Sequence, residues 1–122
     1  MIRWNTLSVA VLIVAGSLLA CKKSPKGGEA RPAVGSCDMR SGAASGGSSI
    51  CIDFHKEPNA KVREICSPSS GYILSTTPCN RAGSLGGCAS ENLTNWYYPS
   101  TRHSKPDDVE KECGSGKDLV RP

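Results

Sequence analysis

Six cysteines, at positions 37, 51, 66, 79, 88 and 113, punctuate the C-terminal part of this chain, and a seventh stands apart at position 21. An even set in a short, loop-rich stretch reads as a framework of three disulfides. Metal binding and thiol redox chemistry call for closer spacing. The nearest pair is Cys79 and Cys88 and no C-x-x-C occurs, so a zinc ribbon, a thioredoxin-type centre and a haem attachment are unsupported. No metal and no cofactor is expected. Composition explains why covalent bracing is needed: aromatics make up 5% of the 122 residues and Phe54 is the only phenylalanine. A domain this small, with so few large apolar side chains, sits near the limit of independent stability.

The isolated Cys21 follows a different kind of segment. Arg3 precedes an apolar stretch from Leu7 to Leu19 that is broken only by Ser8, Gly16 and Ser17, the layout of an export signal. A membrane-crossing helix needs about 20 apolar residues, and this run is shorter and stops against Cys21, Lys22 and Lys23. Its end, Leu18-Leu19-Ala20-Cys21, resembles the lipobox of bacterial lipoproteins. That resemblance implies cleavage between Ala20 and Cys21, a diacylglycerol on the Cys21 thiol and acylation of the new amino group. Several acyl chains anchor a protein stably where one is marginal. The expected location is the cell envelope, lipid-anchored to a membrane. Lys22 after the cysteine favours the outer membrane, at its periplasmic face or the cell surface, by analogy with enteric bacteria.

The formal charge of +4 suggests nucleic acid or a membrane surface as a partner, and its position decides between them. Lys22, Lys23, Lys26 and Arg31 outweigh Glu29 just behind Cys21, whereas basic and acidic residues balance from Cys37 onward. The positive charge therefore belongs to the segment nearest the anchor, where anionic head groups attract it by roughly 1 kcal/mol per charge. Nucleic-acid binding loses its main support. Three segments follow: a signal peptide over 1–20, the lipidated cysteine with a flexible basic tether over 21–36, and a cysteine-rich domain over 37–122. Within the last, Ser41 to Ser49 contains only Gly, Ala and Ser, and reads as a loop closed by a disulfide or by flanking contacts.

Local patterning gives the domain its elements. Ile50, Ile52 and Phe54 alternate with Cys51 and Asp53, the period of a half-buried strand. Asn59 to Cys66 places Val62, Ile65 and Cys66 at helical spacing behind an Asn59 cap, and Ser67-Pro68 ends it. Gly71 to Thr77, Leu85 to Ala89 and Asn95 to Tyr98 read as further strands. A last helix is expected from Pro106 to Cys113, with Ser104 or Lys105 as cap, Asp107 and Asp108 in the first turn, and Gly114 as terminator. The sum is a small disulfide-stabilised α+β domain of three to four short antiparallel strands with two short helices. Six cysteines allow fifteen pairings. Cys66 with Cys79 would tie the first helix across the second strand, adding roughly 3 kcal/mol by the chain-entropy model. Cys113 would pin the last helix through Cys51 or Cys88.

The C-x-D-F strand at Cys51, the Pro78-Cys79 step, the Gly86-Gly87-Cys88 turn, the Trp96-Tyr97-Tyr98 patch and Cys113 resemble a class of small six-cysteine predicted envelope lipoproteins. The resemblance spans most of Cys37 to Gly114 and implies architecture and location without an activity.

Catalytic chemistry is hard to assemble from what remains. His55 and His103 lie in polar surroundings, are expected at the surface, and have no recognisable nucleophile or orienting partner; G-x-S-x-G is absent. A metal site from Asp53, His55 and Glu57 is conceivable, but reads better as a solvated strand end. Gly114-Ser115-Gly116-Lys117 fails as a phosphate loop because Asp118 follows the lysine and Lys111 replaces the first glycine. A cap followed by a frayed tail explains it better. Asn92-Leu93-Thr94 matches a glycosylation sequon by accident of sequence. Trp96, Tyr97 and Tyr98 are consecutive, so a strand must turn at least one of them away from the others, to be exposed or covered by a loop. They serve either the core or recognition of an envelope protein or glycan. No enzyme is expected. A non-enzymatic envelope lipoprotein with a binding or structural domain leads, and a small inhibitor or toxin-like module using the Asn80 to Gly87 loop is the alternative.

Overall fold

The computed structural model describes residues 30–41 and 47–122. The signal peptide, Cys21 and most of the tether lie outside the described residues. Among the described residues there are six strands and two α-helices: β1 (Gly35–Asp38), β2 (Ser49–Phe54), α1 (Ala60–Ile65), β3 (Ile73–Ser75), β4 (Gly86–Ala89), β5 (Leu93–Tyr98), α2 (Pro106–Cys113) and β6 (Asp118–Val120). All strands join one antiparallel sheet in the order β3-β1-β2-β5-β4-β6. The α+β class holds, while the strand count is six and not three to four.

The two additional strands lie where the sequence reads as linker and tail. β1 begins at Gly35, within the expected spacer, and is gripped on both sides by β2 and β3. Gly35 suits this position because a Cβ there would meet the Ser75 carbonyl oxygen at 2.8 Å. β6 is the expected frayed tail. After α2 the chain reverses through Gly114, at φ +59°, and Asp118–Val120 pairs with β4. Three or four residues of strand are too short for alternation to register. Pairing partners distant in sequence create both.

The longest pairing, β2 with β5, runs from Ser49↔Tyr98 to Phe54↔Leu93 and forms the centre of the sheet. Residues paired across an antiparallel ladder share a face. One face therefore carries Leu74, Cys37, Ile52, Asn95, Cys88 and Leu119 along a single row. Both helices lie on it, because Cys37 is bonded to Cys66 at the end of α1 and Cys88 to Cys113 at the end of α2. The opposite face carries Cys51, Asp53, Trp96, Tyr98, Ala89 and Val120, and is covered by the loop that Cys79 pins through its bond to Cys51. The alternation read in Ile50 to Phe54 is correct, but the Cys51–Asp53 side is no wet face: both residues are buried.

This layering corrects the expected Cys66–Cys79 bond. Cys66 sits on the helix face and Cys79 on the loop face, and a disulfide needs Cα atoms about 4.4–6.8 Å apart, too close to cross a sheet. The observed Cα separations are 5.9, 6.0 and 5.1 Å for Cys37–Cys66, Cys51–Cys79 and Cys88–Cys113. Cys113 takes Cys88, one of its two expected partners. Each bond closes a loop of 25 to 29 residues. By chain entropy that stabilises the fold by about 3–4 kcal/mol per bond.

The helices follow their local signals. Asn59 Oδ1 accepts the Val62 amide at 3.0 Å and caps α1. At α2, Lys105 is the cap, Pro106 opens the first turn, and Asp108 Oδ2 accepts the amides of Ser104 and Lys105 at 2.9 and 3.2 Å. These bonds, Ser104 first, hold the Asp108 carboxyl below its ordinary range. The helices differ in how they pack. Val109 and Cys113 of α2 are buried against Cys88 and Tyr97, whereas α1 buries none of its residues. No helix among the described residues is long and apolar enough to cross a membrane.

Candidate apolar binding groove

Helix α1 meets the core through half-buried Val62 and buries none of its residues fully. Between α1 and the sheet lies a groove of about 450 Å³. Ile52 and Phe54 of β2 and Leu93 of β5 form the sheet side, Val62 and Ile65 come from α1, and the Cys37–Cys66 bond joins the two walls. The lining is overwhelmingly apolar; Lys56, Glu57 and Asn92 supply polar groups around it. Ile65 is 54% exposed, as a large aliphatic on a domain with few of them. The volume falls within the roughly 300–1,000 Å³ of small-ligand pockets. Sequence periodicity marks Val62 and Ile65 as the inner face of α1. What it does not reveal is that Val62 packs on the cluster of Cys37 and Phe54 while Ile65 stays exposed, leaving a groove between helix and sheet.

The aromatic patch lies in the interior and serves packing. Trp96, Tyr97 and Tyr98 are all buried, Trp96 completely at 0% exposure. Tyr97 points to the helix face beside His103, with ring centroids 4.8 Å apart. Trp96 and Tyr98 point to the loop face, where the Arg81 guanidinium lies 4.7 Å from the Trp96 ring and Arg40 lies 4.5 Å from that of Tyr98. Burial pushes both tyrosine hydroxyls above their ordinary range. Tyr98 donates its hydroxyl proton to the Asn80 carbonyl, tying the covering loop down. The Asn80 to Gly87 segment is thus part of the core's cover, and Gly86 and Gly87 are buried strand residues.

His103 also departs from expectation: it is 1% exposed. Glu112 Oε1 accepts its Nε2 proton at 3.0 Å, and Arg102 reaches the same oxygen at 3.0 Å. The His103 bond, then Arg102, holds the Glu112 carboxyl below its ordinary range. A general base must reach the proton it removes. Enclosed as it is, with Nδ1 buried and unpartnered, this ring braces the loop before α2 instead.

Asp53, His55 and Glu57 are not brought together as a metal site. Asp53 is engaged inward by Trp96 and Cys79, and Glu57 pairs with Arg63. His55 Nδ1 lies 3.0 Å from the Pro32 carbonyl and Nε2 lies 2.8 Å from Thr94 Oγ1. A ring with its proton on Nδ1 satisfies both contacts. Among the described residues no three His, Cys, Asp or Glu side chains are grouped to hold a metal ion. Comparisons with protein families, with curated proteins and with solved structures find no match to this chain.

Proposed function

We propose that the chain is the precursor of a lipid-anchored envelope lipoprotein, cut before Cys21, whose cysteine-rich domain is a non-enzymatic binding module. The observation that carries this reading is the division of the cysteines. All six in the domain are consumed in three disulfides, which leaves Cys21 alone at the end of Leu18-Leu19-Ala20-Cys21. Three disulfides favour an oxidising compartment outside the cytoplasm. The basic residues behind Cys21 suit the anionic surface to which the lipid would attach.

For the domain, the apolar groove beside α1 supports the binding of an apolar chain better than catalysis. Intact mass of the protein extracted from membranes of its host, before and after reduction, tests the anchor. The expected mass is that of a chain starting at Cys21 plus a diacylglycerol and a further acyl group, rising by six hydrogens on reduction, as the three bonds require. A free thiol on Cys21, or a retained segment over 1–20, overturns the reading.

A further inference from the structure

We propose that the groove between α1 and the sheet is the docking site of one acyl chain carried by Cys21 of the same molecule, an inference that rests on the lipoprotein reading above. Three observations converge on that occupant. The first is the chemistry of the walls. A methylene chain asks for nothing but apolar contact, and Ile52, Phe54, Leu93, Val62 and Ile65 supply it from both sides. A peptide lying there would bury amides and carbonyls with few partners to pair them.

The second is where the chain arrives. Arg31 reaches the carbonyls of Ser90 and Glu91, both at 3.4 Å, and Val34 N–H donates to the Phe54 carbonyl at 2.8 Å. The turn at 90–92 leads directly into Asn92 and Leu93, and these line the groove together with Phe54. The entering segment is thus fastened to the same end of the sheet as the groove. Ala30 packs on the loop face, so the tether has to round that end. From Cys21 to Ala30, nine residues span at most roughly 30 Å when extended, which suffices to pass around one sheet edge. A tethered ligand this close has an effective concentration in the millimolar range, so modest affinity fills the site.

The third is α1 itself. It buries no residue, and its C-terminal end is bonded to Cys37. Besides that bond only half-buried Val62 packs on the core, so an occupant of the groove would add to what holds the helix. Docking one acyl chain leaves the others of the lipid in the membrane and brings the groove end of the domain down toward the surface.

The test compares the mature lipidated protein in phosphatidylcholine vesicles with the same chain carrying Cys21→Ser, exported through a conventional signal and mixed with empty vesicles. The unlipidated form should bind fluorescently labelled palmitate saturably. The amides of 60–65 should exchange with deuterium several-fold more slowly in the lipidated form. Val62→Arg, at a half-buried position that packs on Phe54 and the Cys37–Cys66 bond, should abolish both effects while the three disulfides and the near-ultraviolet signal of Trp96 are retained. Absence of saturable palmitate binding overturns the proposal, as does equal exchange of α1 in the two forms. Slower exchange that survives Val62→Arg also overturns it, since general shielding by the membrane would then be the cause. If intact mass finds no lipid on Cys21, the lipoprotein reading fails first, and this inference falls with it.

Discussion

The carboxylate of Asp53, 1% exposed, accepts the indole proton of Trp96 at 2.8 Å across the central strand pair. Its other oxygen accepts the Cys79 amide at 2.7 Å, and Arg81 lies 3.6 Å away. One buried acid thus joins β2, β5 and the covering loop at the place where the Cys51–Cys79 disulfide also joins them.

Asp53→Ala is expected to destabilise the domain by about 3–5 kcal/mol, because it strands two buried donors and leaves the Arg81 charge without its partner. Asp53→Asn keeps one acceptor and should cost about half as much. Urea unfolding with the disulfides intact measures both. Equal losses in the two variants would mean that hydrogen bonding to Trp96 and Cys79 is not what Asp53 contributes.

Gly87 faces Trp96 directly. A Cβ there would stand 3.0 Å from both Trp96 Cε3 and Thr94 Cγ2. Gly87→Ala should therefore overpack the loop face and cost about 1–3 kcal/mol, with a shift in the near-ultraviolet signal of Trp96. An unchanged midpoint and an unchanged spectrum would show that the indole yields freely.

The two helix-face disulfides should behave differently when removed. Replacing Cys37 and Cys66 by Ala deletes about 3–4 kcal/mol by chain entropy and also loosens α1, which is then held to the core only through half-buried Val62. Amides 60–65 should then exchange as in an open chain while the sheet stays protected. Removing Cys88 and Cys113 costs a similar amount, yet Val109 keeps α2 in place. Loss of both helices to the same degree would contradict the difference in packing.

Glu112 gives stability a pH dependence of known sign. Its carboxyl is held below the ordinary 4.5 by the His103 hydrogen bond, and next by Arg102. The folded-state pKa lies below the unfolded one, so its contribution is present above the ordinary carboxylate range and is lost as pH falls through the folded pKa. Glu112→Gln should cost about 1 kcal/mol near neutral pH. Wild type and variant should converge on acidification. Parallel stability curves over that range would show that Glu112 is not coupled in this way.

Much of the fold is legible in local sequence. Asn59, Pro106, Asp108 and Gly114 mark the helix ends because capping is settled within a few residues. The alternation of Ile50 to Phe54 orients β2 correctly. Which side of that strand is buried is another matter, since Cys51 and Asp53 become interior only when Cys79 draws a distant loop over them. His103 misleads for the same reason. Flanked by Arg102 and Ser104 it reads as surface, and the ring of Tyr97 and the carboxylate of Glu112 enclose it only after α2 has docked.

The groove is the least legible feature. Val62 and Ile65 announce an apolar helix face, and Ile52, Phe54 and Leu93 belong to apolar strands, but nothing in their spacing says that a groove is left between the two surfaces. By itself the sequence determined the number of disulfides, both helices, the run of the central strands and the separation of Cys21 from the other cysteines. These depend on composition and on neighbours within one or two turns of chain. The tertiary structure alone decided the strands β1 and β6, the order of the sheet, the cysteine partners and the groove beside α1. Each of those is a distance between residues far apart in sequence, set by which face of the sheet a side chain occupies.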